Sequence, residues 1–504
     1  MKASLLSLFL MSLPVTGAAA SCDSLGSLQR AHTTITSAAT VPAGQMPKFE
    51  KLPAFCRVQG VLKPTSDSHI EFEVWMPEAG WNGRYQGIGN GGYAGSLSIG
   101  GVAAAVRAGY AASTTDTGHK AGGADGQWAV GHPEKLIDYG HRAIHETALV
   151  SKDLIAAFYG QPAKKSYFSS CSNGGRQALM EAQRYPEDYD GIVSGAPAAY
   201  MTRLTMDFVY NLQALSADGA HIPASKLPAI EKAALAACDA EDGVADNVID
   251  SPHKCRFDPA VLLCKGTPRD DCLTAPQVEA VRRIQGGMKD SKGKLLYPGF
   301  PPGSETGQGG WVSWITGPEL GKSAQAAFGL QMQRSFVGRG QEWDYRAFNF
   351  DKDVMSSEDK VGPLLDAVNP DLTAFHKRGG KLILWHGWND PAIPAGASIQ
   401  YWEAALKKMG KGPMNEFARF FLVPGMQHCG GGPGATQIGA AAGSPGDATN
   451  NVVLAVEKWV EEGVAPNQII AKGNKRTRPL CPYPKVAKYK GTGSTDEAAN
   501  FVCK

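Results

Sequence analysis

The run Tyr167-Phe168-Ser169-Ser170-Cys171-Ser172-Asn173-Gly174-Gly175-Arg176 sets the architecture of what surrounds it. Its first four residues read as a short strand, and Gln177 to Arg184 continue with helical spacing. Between them a sharp turn of small residues carries Ser172. A hydroxyl on a strand-to-helix turn is presented at the top of an α/β sheet, where it is placed to attack a carbonyl. The start of the following helix adds positive potential where negative charge develops during acyl transfer. The turn departs from Gly-x-Ser-x-Gly at its first position, where Ser170 stands, although a small residue is kept. The competing reading is a Gly/Ser-rich turn without chemistry.

The flanking chain has βαβ grammar. Ile70 to Trp75 alternates at period two, Ala104 to Ala112 is apolar and small, and His141 to Tyr159 carries helical spacing. From Cys22 to about Tyr200 this predicts a mainly parallel sheet. From about Met201 to Thr373 the alternation gives way to four cysteines, an acidic cluster and Gly/Pro/Gln-rich loops, which reads as an inserted lid. Sheet grammar resumes at Lys381 to Trp385 and at Phe420 to Val423. The expectation is an α/β-hydrolase fold: a signal peptide over 1–20, a catalytic domain from 21–200 and 374–504, and a lid domain over 201–373.

Serine is a weak nucleophile without a base, and the α/β-hydrolase order places an acid and then a histidine downstream of it. Asp390 follows the strand Lys381 to Trp385 after a short turn, and His428 follows the strand ending near Val423. Both fall at carboxyl ends of strands, where open sheets build their sites. A loop histidine taken alone is more often structural, and eleven are present. His386 precedes the acid and is cast in a supporting role. Cys171 precedes Ser172 and Cys429 follows His428. Paired, they would stand ~5.5 Å apart at Cα, each ~3.8 Å along the chain from a catalytic residue, and would tether base to nucleophile.

Bulk composition narrows the rest. The 504 residues exceed the usual size of one core. Gly at 60, Pro at 32 and charged residues at only 19% indicate a loop-rich chain. A formal net charge of +2 without a Lys/Arg block argues against nucleic-acid partners. Lys2, the apolar run Leu5 to Leu13 and Ala18-Ala19-Ala20 form an export signal cleaved before Ser21, so a secreted or periplasmic product is expected. No later stretch approaches the ~20 apolar residues of a membrane span. Ten cysteines without a CxxC pair suit five disulfides better than zinc, with the pairing open.

The combination of Cys171-Ser172, Asp390 and His428-Cys429 resembles the tannase/feruloyl esterase family of secreted α/β-hydrolases, which includes hydrolases of mono(2-hydroxyethyl) terephthalate. The similarity runs from Cys22 to Cys503, through Trp81 to Arg84 and Thr477 to Pro484. It implies an oxyanion hole from the amides of Asn173 and of a residue in Gly89 to Gly95, for which Gly92 is chosen; glycine permits the close approach required. It implies the bridges Cys22–Cys56, Cys171–Cys429, Cys238–Cys255, Cys264–Cys272 and Cys481–Cys503.

The acidic stretch Cys238 to Asp250 offers closely spaced carboxylates, and calcium takes about six to eight hard oxygens. By spacing alone a solvated acidic loop is equally good; the resemblance implies structural Ca2+ on Asp239, Asp242 and Asp246 side chains and Val244 and Val248 carbonyls. It also casts Trp314 as packing on an aromatic acyl group, against a core tryptophan, and Ile393 at a position aromatic in some relatives. Ser323 to Gly329 lacks the arginine with which terephthalate-monoester hydrolases pair the free carboxylate. The function implied is hydrolysis of esters of aromatic acids, feruloyl esters first, with galloyl esters second and terephthalate monoesters less favoured. The rival of a different class is a calcium-stabilised, non-catalytic binding protein.

Overall fold

The computed structural model describes residues 19–303 and 305–504. The expected signal segment lies outside them but for its last two residues.

One nine-stranded sheet organises the chain. Strands β1 (Thr33–Val41), β2 (Phe55–Leu62) and β3 (Ile70–Pro77) form an antiparallel meander. The parallel part comprises β4 (Arg84–Ile88), β5 (Ala111–Thr115), β6 (Lys165–Cys171) and β7 (Gly191–Gly195). A short hairpin of β8 (Met288–Lys289) and β9 (Leu295–Tyr297) stands apart from the sheet. It is completed by β10 (Lys381–Gly387) and β11 (Ala418–Val423), giving the order β1-β2-β3-β5-β4-β6-β7-β10-β11. The meander corrects the expectation of βαβ grammar from Cys22 onward. Among the described residues neither of its connections carries a crossover helix, and successive strands pair antiparallel.

β7 and β10 are neighbours in space although residues 196–380 separate them. Across that gap the chain is mostly helical and carries its own apolar cluster, in which Met201, Leu204 and Phe208 meet Trp311, Phe336 and Ile393. The helices Ala143–Tyr159 and Asn173–Arg184 help to cover the sheet, and Val58, Val74, Leu154, Leu179 and Leu384 share the largest core. The parallel strands β4, β6, β7, β10 and β11 run in one direction, so the loops leaving them gather along one edge. Ser172, Asp390 and His428 lie on those loops.

All ten cysteines are bridged: Cys22–Cys56, Cys171–Cys429, Cys238–Cys255, Cys264–Cys272 and Cys481–Cys503. These are the pairs the resemblance implied. Among the described residues no helix is long and apolar enough to cross a membrane.

Candidate active site

Ser172 holds φ 69° and ψ −127° at the junction of β6 and its helix. That region of backbone space is costly for a residue with a side chain, and it persists only where the surroundings enforce it. Here the Ser172 amide donates to the Gly195 carbonyl at 3.0 Å, and its carbonyl accepts the amides of Arg176 and Ala198 at 3.1 and 3.2 Å. Ser170, the departure from glycine, is accommodated from the other side: a Cβ on Gly174 would stand 1.9 Å from Ser170 Oγ. The helix glycine supplies the room that the strand residue uses.

His428 and Asp390 arrive on loops stitched to each other. Asn389 donates its amide to the Met426 carbonyl at 3.0 Å and accepts the Gly425 amide on Oδ1 at 3.0 Å. This brings His428 Nδ1 within 2.7 Å of Asp390 Oδ2, and His428 Nε2 within 2.9 Å of Ser172 Oγ. With Nδ1–H donated to the carboxylate, Nε2 is left to accept the serine proton. The other oxygen of Asp390 accepts the amides of Ala392 and Ile393 at 2.8 and 2.9 Å. Burial alone would raise the Asp390 carboxyl, but the imidazoles of His428 and His386 hold it below the usual carboxylate range. His386 stands 3.4 Å from Asp390 Oδ2 while bonding the Ile393 carbonyl and Ser398 Oγ. Its hydrogen bonds place it beside Asp390.

Beside Ser172 is a cavity lined by Gly92, Asn173, Trp314, Ile393 and His428, with Phe328 and one face of the helix Met201–Leu215. Asn173 opens its helix, where the first amides lack intrahelical partners. Gly92, at φ +55°, passes so close to the neighbouring loop that a Cβ would stand 2.3 Å from the Gly123 carbonyl. Trp314 is half-buried, its ring 4.9 Å from that of His428 and edge-on to it, whereas Trp311 is the core tryptophan. Sequence reasoning passed over Met201, Leu204, Thr205 and Phe208, which line the same cavity. Their spacing of three, four and seven is the signature of one helical face, so the signal was present. Tyr93 and Phe328 carried none, since their approach depends on the Tyr93 hydroxyl donating to the Phe328 carbonyl at 2.8 Å, across 235 residues.

The acidic loop is arranged differently. Asp239 accepts the amides of Asp246, Asn247 and Val248 at 3.3, 2.9 and 3.1 Å, and Asp242 accepts those of Val244 and Asp250 at 2.9 and 3.2 Å. Asp246 pairs with Arg476 and Arg478 at 2.8 and 2.5 Å. Among the described residues no three His, Cys, Asp or Glu side chains form a ready metal-binding group. The loop supplies the hard oxygens that calcium takes but turns them onto its own amides and two arginines.

Comparison with known proteins adds the context. Residues 56–504 match the family model described as tannase and feruloyl esterase. The chain is 40% identical to an uncharacterized esterase of Xanthomonas campestris pv. campestris, over 97% of this chain and 92% of that one. It is 34% identical to a mono(2-hydroxyethyl) terephthalate hydrolase of Piscinibacter sakaiensis, over 90% of this chain and 85% of that one. The crystal structure of feruloyl esterase B from Aspergillus oryzae superposes with a TM-score of 0.88 at 30% identity, covering 96% of this chain and 99% of that one.

Proposed function

The chain belongs to the tannase and feruloyl esterase family and is a carboxylic ester hydrolase, and from that premise we propose that Ser172, His428 and Asp390 are its catalytic triad. The observation that carries this reading is the continuous relay of 2.7 and 2.9 Å from Asp390 through His428 to Ser172, at the rim of an apolar cavity. Ser172 attacks the ester carbonyl and passes its proton to His428. His428 returns a proton to the departing alcohol, and water then releases the acid by the same route. The amides of Gly92 and Asn173 hold the oxyanion.

The cavity argues for the acyl group. Trp314, Phe328, Ile393, Leu204 and Phe208 present hydrocarbon and aromatic faces, and none of the described residues that line it is Lys, Arg, Asp or Glu. Thr205 is spoken for by the carbonyls of Met201 and Thr202. A feruloyl-type ring is at home in such surroundings. A galloyl ring would bury hydroxyls with few partners, and a terephthalate monoester would bury a carboxylate with none. Measured kcat/KM should therefore fall in the order methyl ferulate, methyl gallate, terephthalate monoester. A preference for the terephthalate monoester would overturn the assignment.

Residues 201–373 are assigned as a lid over this cavity, supported by the part that Met201, Trp314 and Phe328 take in its wall. A structural calcium ion is assigned to Asp239, Asp242 and Asp246, with the carbonyls of Val244 and Val248. What supports it is an all-oxygen donor set gathered in one loop that the Cys238–Cys255 bridge closes. Export through an N-terminal signal completes the reading, supported by five disulfides of the kind that oxidising compartments maintain.

A further inference from the structure

Tyr139 lies in a π-helical turn, Asp138–Arg142, and is 1% exposed. Edges of Tyr93 and Trp128 surround its ring at 6.2 and 5.5 Å, and the Arg176 guanidinium lies 5.0 Å over it. Its hydroxyl stands 3.1 Å from the Gly92 carbonyl and 3.1 Å from Asn173 Oδ1. A phenol has one proton to give, so these two oxygens share it. They belong to the two residues whose amides are assigned to the oxyanion hole, one on the loop after β4 and the other at the start of the helix after β6. One turn further along the helix the same segments are also joined by the Asn90 amide donating to Gln177 Oε1 at 2.9 Å and Gln177 Nε2 to Asn90 Oδ1 at 3.3 Å. At Asn173 itself Nδ2 reaches the Asn90 carbonyl at 3.4 Å, so that Tyr139 is the link that touches Gly92 and Asn173 together.

Arg176 locks this arrangement from below. Its Nε donates to the same Asn173 Oδ1 at 2.8 Å, and its remaining donors reach the carbonyls of Gly140, Leu365 and Tyr139 at 2.7, 3.2 and 3.2 Å. The guanidinium is fully buried and every one of these partners is an uncharged oxygen. Burial pushes the Tyr139 hydroxyl up to about 12, Arg176 opposing, so it remains a donor throughout the neutral range.

We propose that Tyr139 is a positioning residue that holds the Gly92 and Asn173 amides at the separation a tetrahedral oxyanion needs, and that Arg176 fixes the Tyr139–Asn173 pair and adds positive potential beneath it. The inference rests on the triad reading above. Oxyanion donors act only when preorganised around the position the charged oxygen will take, so a loosened pair weakens transition-state binding and leaves ground-state binding alone.

Tyr139→Phe removes one oxygen and keeps the ring its neighbours pack against. Its kcat on methyl ferulate should fall roughly tenfold, less than the loss of a donor itself costs, with KM within about twofold. Affinity for an arylboronic acid, which forms a tetrahedral anion on the serine, should fall by the same factor, and affinity for ferulic acid should hold. Should Tyr139→Phe fail to fold, Asn173→Ala deletes the shared acceptor, keeps the backbone amide and should show the same split. Unchanged kcat in a folded variant, or equal losses of boronic-acid and ferulic-acid affinity, would overturn the proposal. Ser172→Ala run alongside separates this from a failure of the triad reading, because inactivity of the wild type, or survival of activity in Ser172→Ala, would discredit the triad instead.

Discussion

The turn at Ser172 and the acidic loop at Asp239 are each clasped by a disulfide, and they differ in what the clasp joins. Cys171–Cys429 spans 258 positions of sequence and binds the Ser172 turn to the His428 loop; Cys238–Cys255 spans 17 and closes one loop on itself. In the chain-entropy account the longer closure is worth roughly 5.5 kcal/mol and the shorter about 3. Both figures are large, and the gap between them is modest. Stability therefore does not set the two apart. The first clasp fixes the relation of Ser172 and His428, whose hydrogen bond is already in place. The second gathers oxygens that remain engaged with their own loop's amides, a state that a ligand would have to reorganise.

If that contrast is right, breaking the first region should stop chemistry. The largest effect is predicted for Ser172→Ala and His428→Ala, each lowering kcat on an aryl ester by on the order of a millionfold. The double variant should lose scarcely more, since the two residues act as one unit. Additive losses would mean that they do not share a step. Asp390→Asn comes next, at about ten-thousandfold, through loss of the correct imidazole tautomer. Because Asp390 is held below its ordinary range, its charge also stabilises the fold at neutral pH, a contribution present above the unfolded carboxylate range and lost only as pH falls through the depressed folded value. Acid-unfolding curves of Asp390→Asn should accordingly diverge from wild type near neutrality and converge toward strong acid. Parallel curves would deny the shift.

How much of this was legible follows the same division between local and distant. The turn at Ser172, the strands β10 and β11 and the acid and base after them are short-range patterns, and each could be read where it stood. Ser170 in place of glycine looked like a defect because its compensation, Gly174, is visible only once strand and helix are packed. The meander before β4 escaped because periodicity reports strands without reporting their direction. Tyr139 escaped because it lies in an irregular turn, 34 positions from Asn173 and 47 from Gly92, and touches them only through tertiary structure. The acidic loop is the opposite case: its composition is conspicuous, and folding alone leaves its carboxylates occupied by loop amides.

A third test falls between the regions. Replacing Cys171 and Cys429 together by serine should lower kcat on the order of a hundredfold, the cost of a catalytic group misplaced by ~1 Å, when measured at temperatures where the variant, deprived of the bridge's stabilisation, is still folded. The double change is needed because either cysteine alone would leave a thiol beside the nucleophile. Full turnover without the bridge would show that the stitching of the Asn389 and Met426 loops suffices to hold His428.

The smallest effect on catalysis is predicted for the acidic loop. If calcium binds the folded loop and not the unfolded chain, it stabilises by mass action, about 2.7 kcal/mol when free calcium is one hundred times its Kd. Chelation should then lower Tm while leaving kcat unchanged at temperatures where the protein stays folded. Asp242→Ala should reproduce the lower Tm and abolish its response to calcium. Arg476 and Arg478 sharpen the test, because they already pair with Asp246 and compete with any ion for it. Arg476→Gln should therefore bind calcium more tightly than wild type does, even if its metal-free Tm is lower. If Tm ignores chelation and metal analysis finds no calcium, the two arginines and the loop amides are the only partners these carboxylates have, and the loop is a structural knot. A fall in kcat on chelation, with the fold intact, would instead break the contrast from the other side by tying the loop to the chemistry at Ser172.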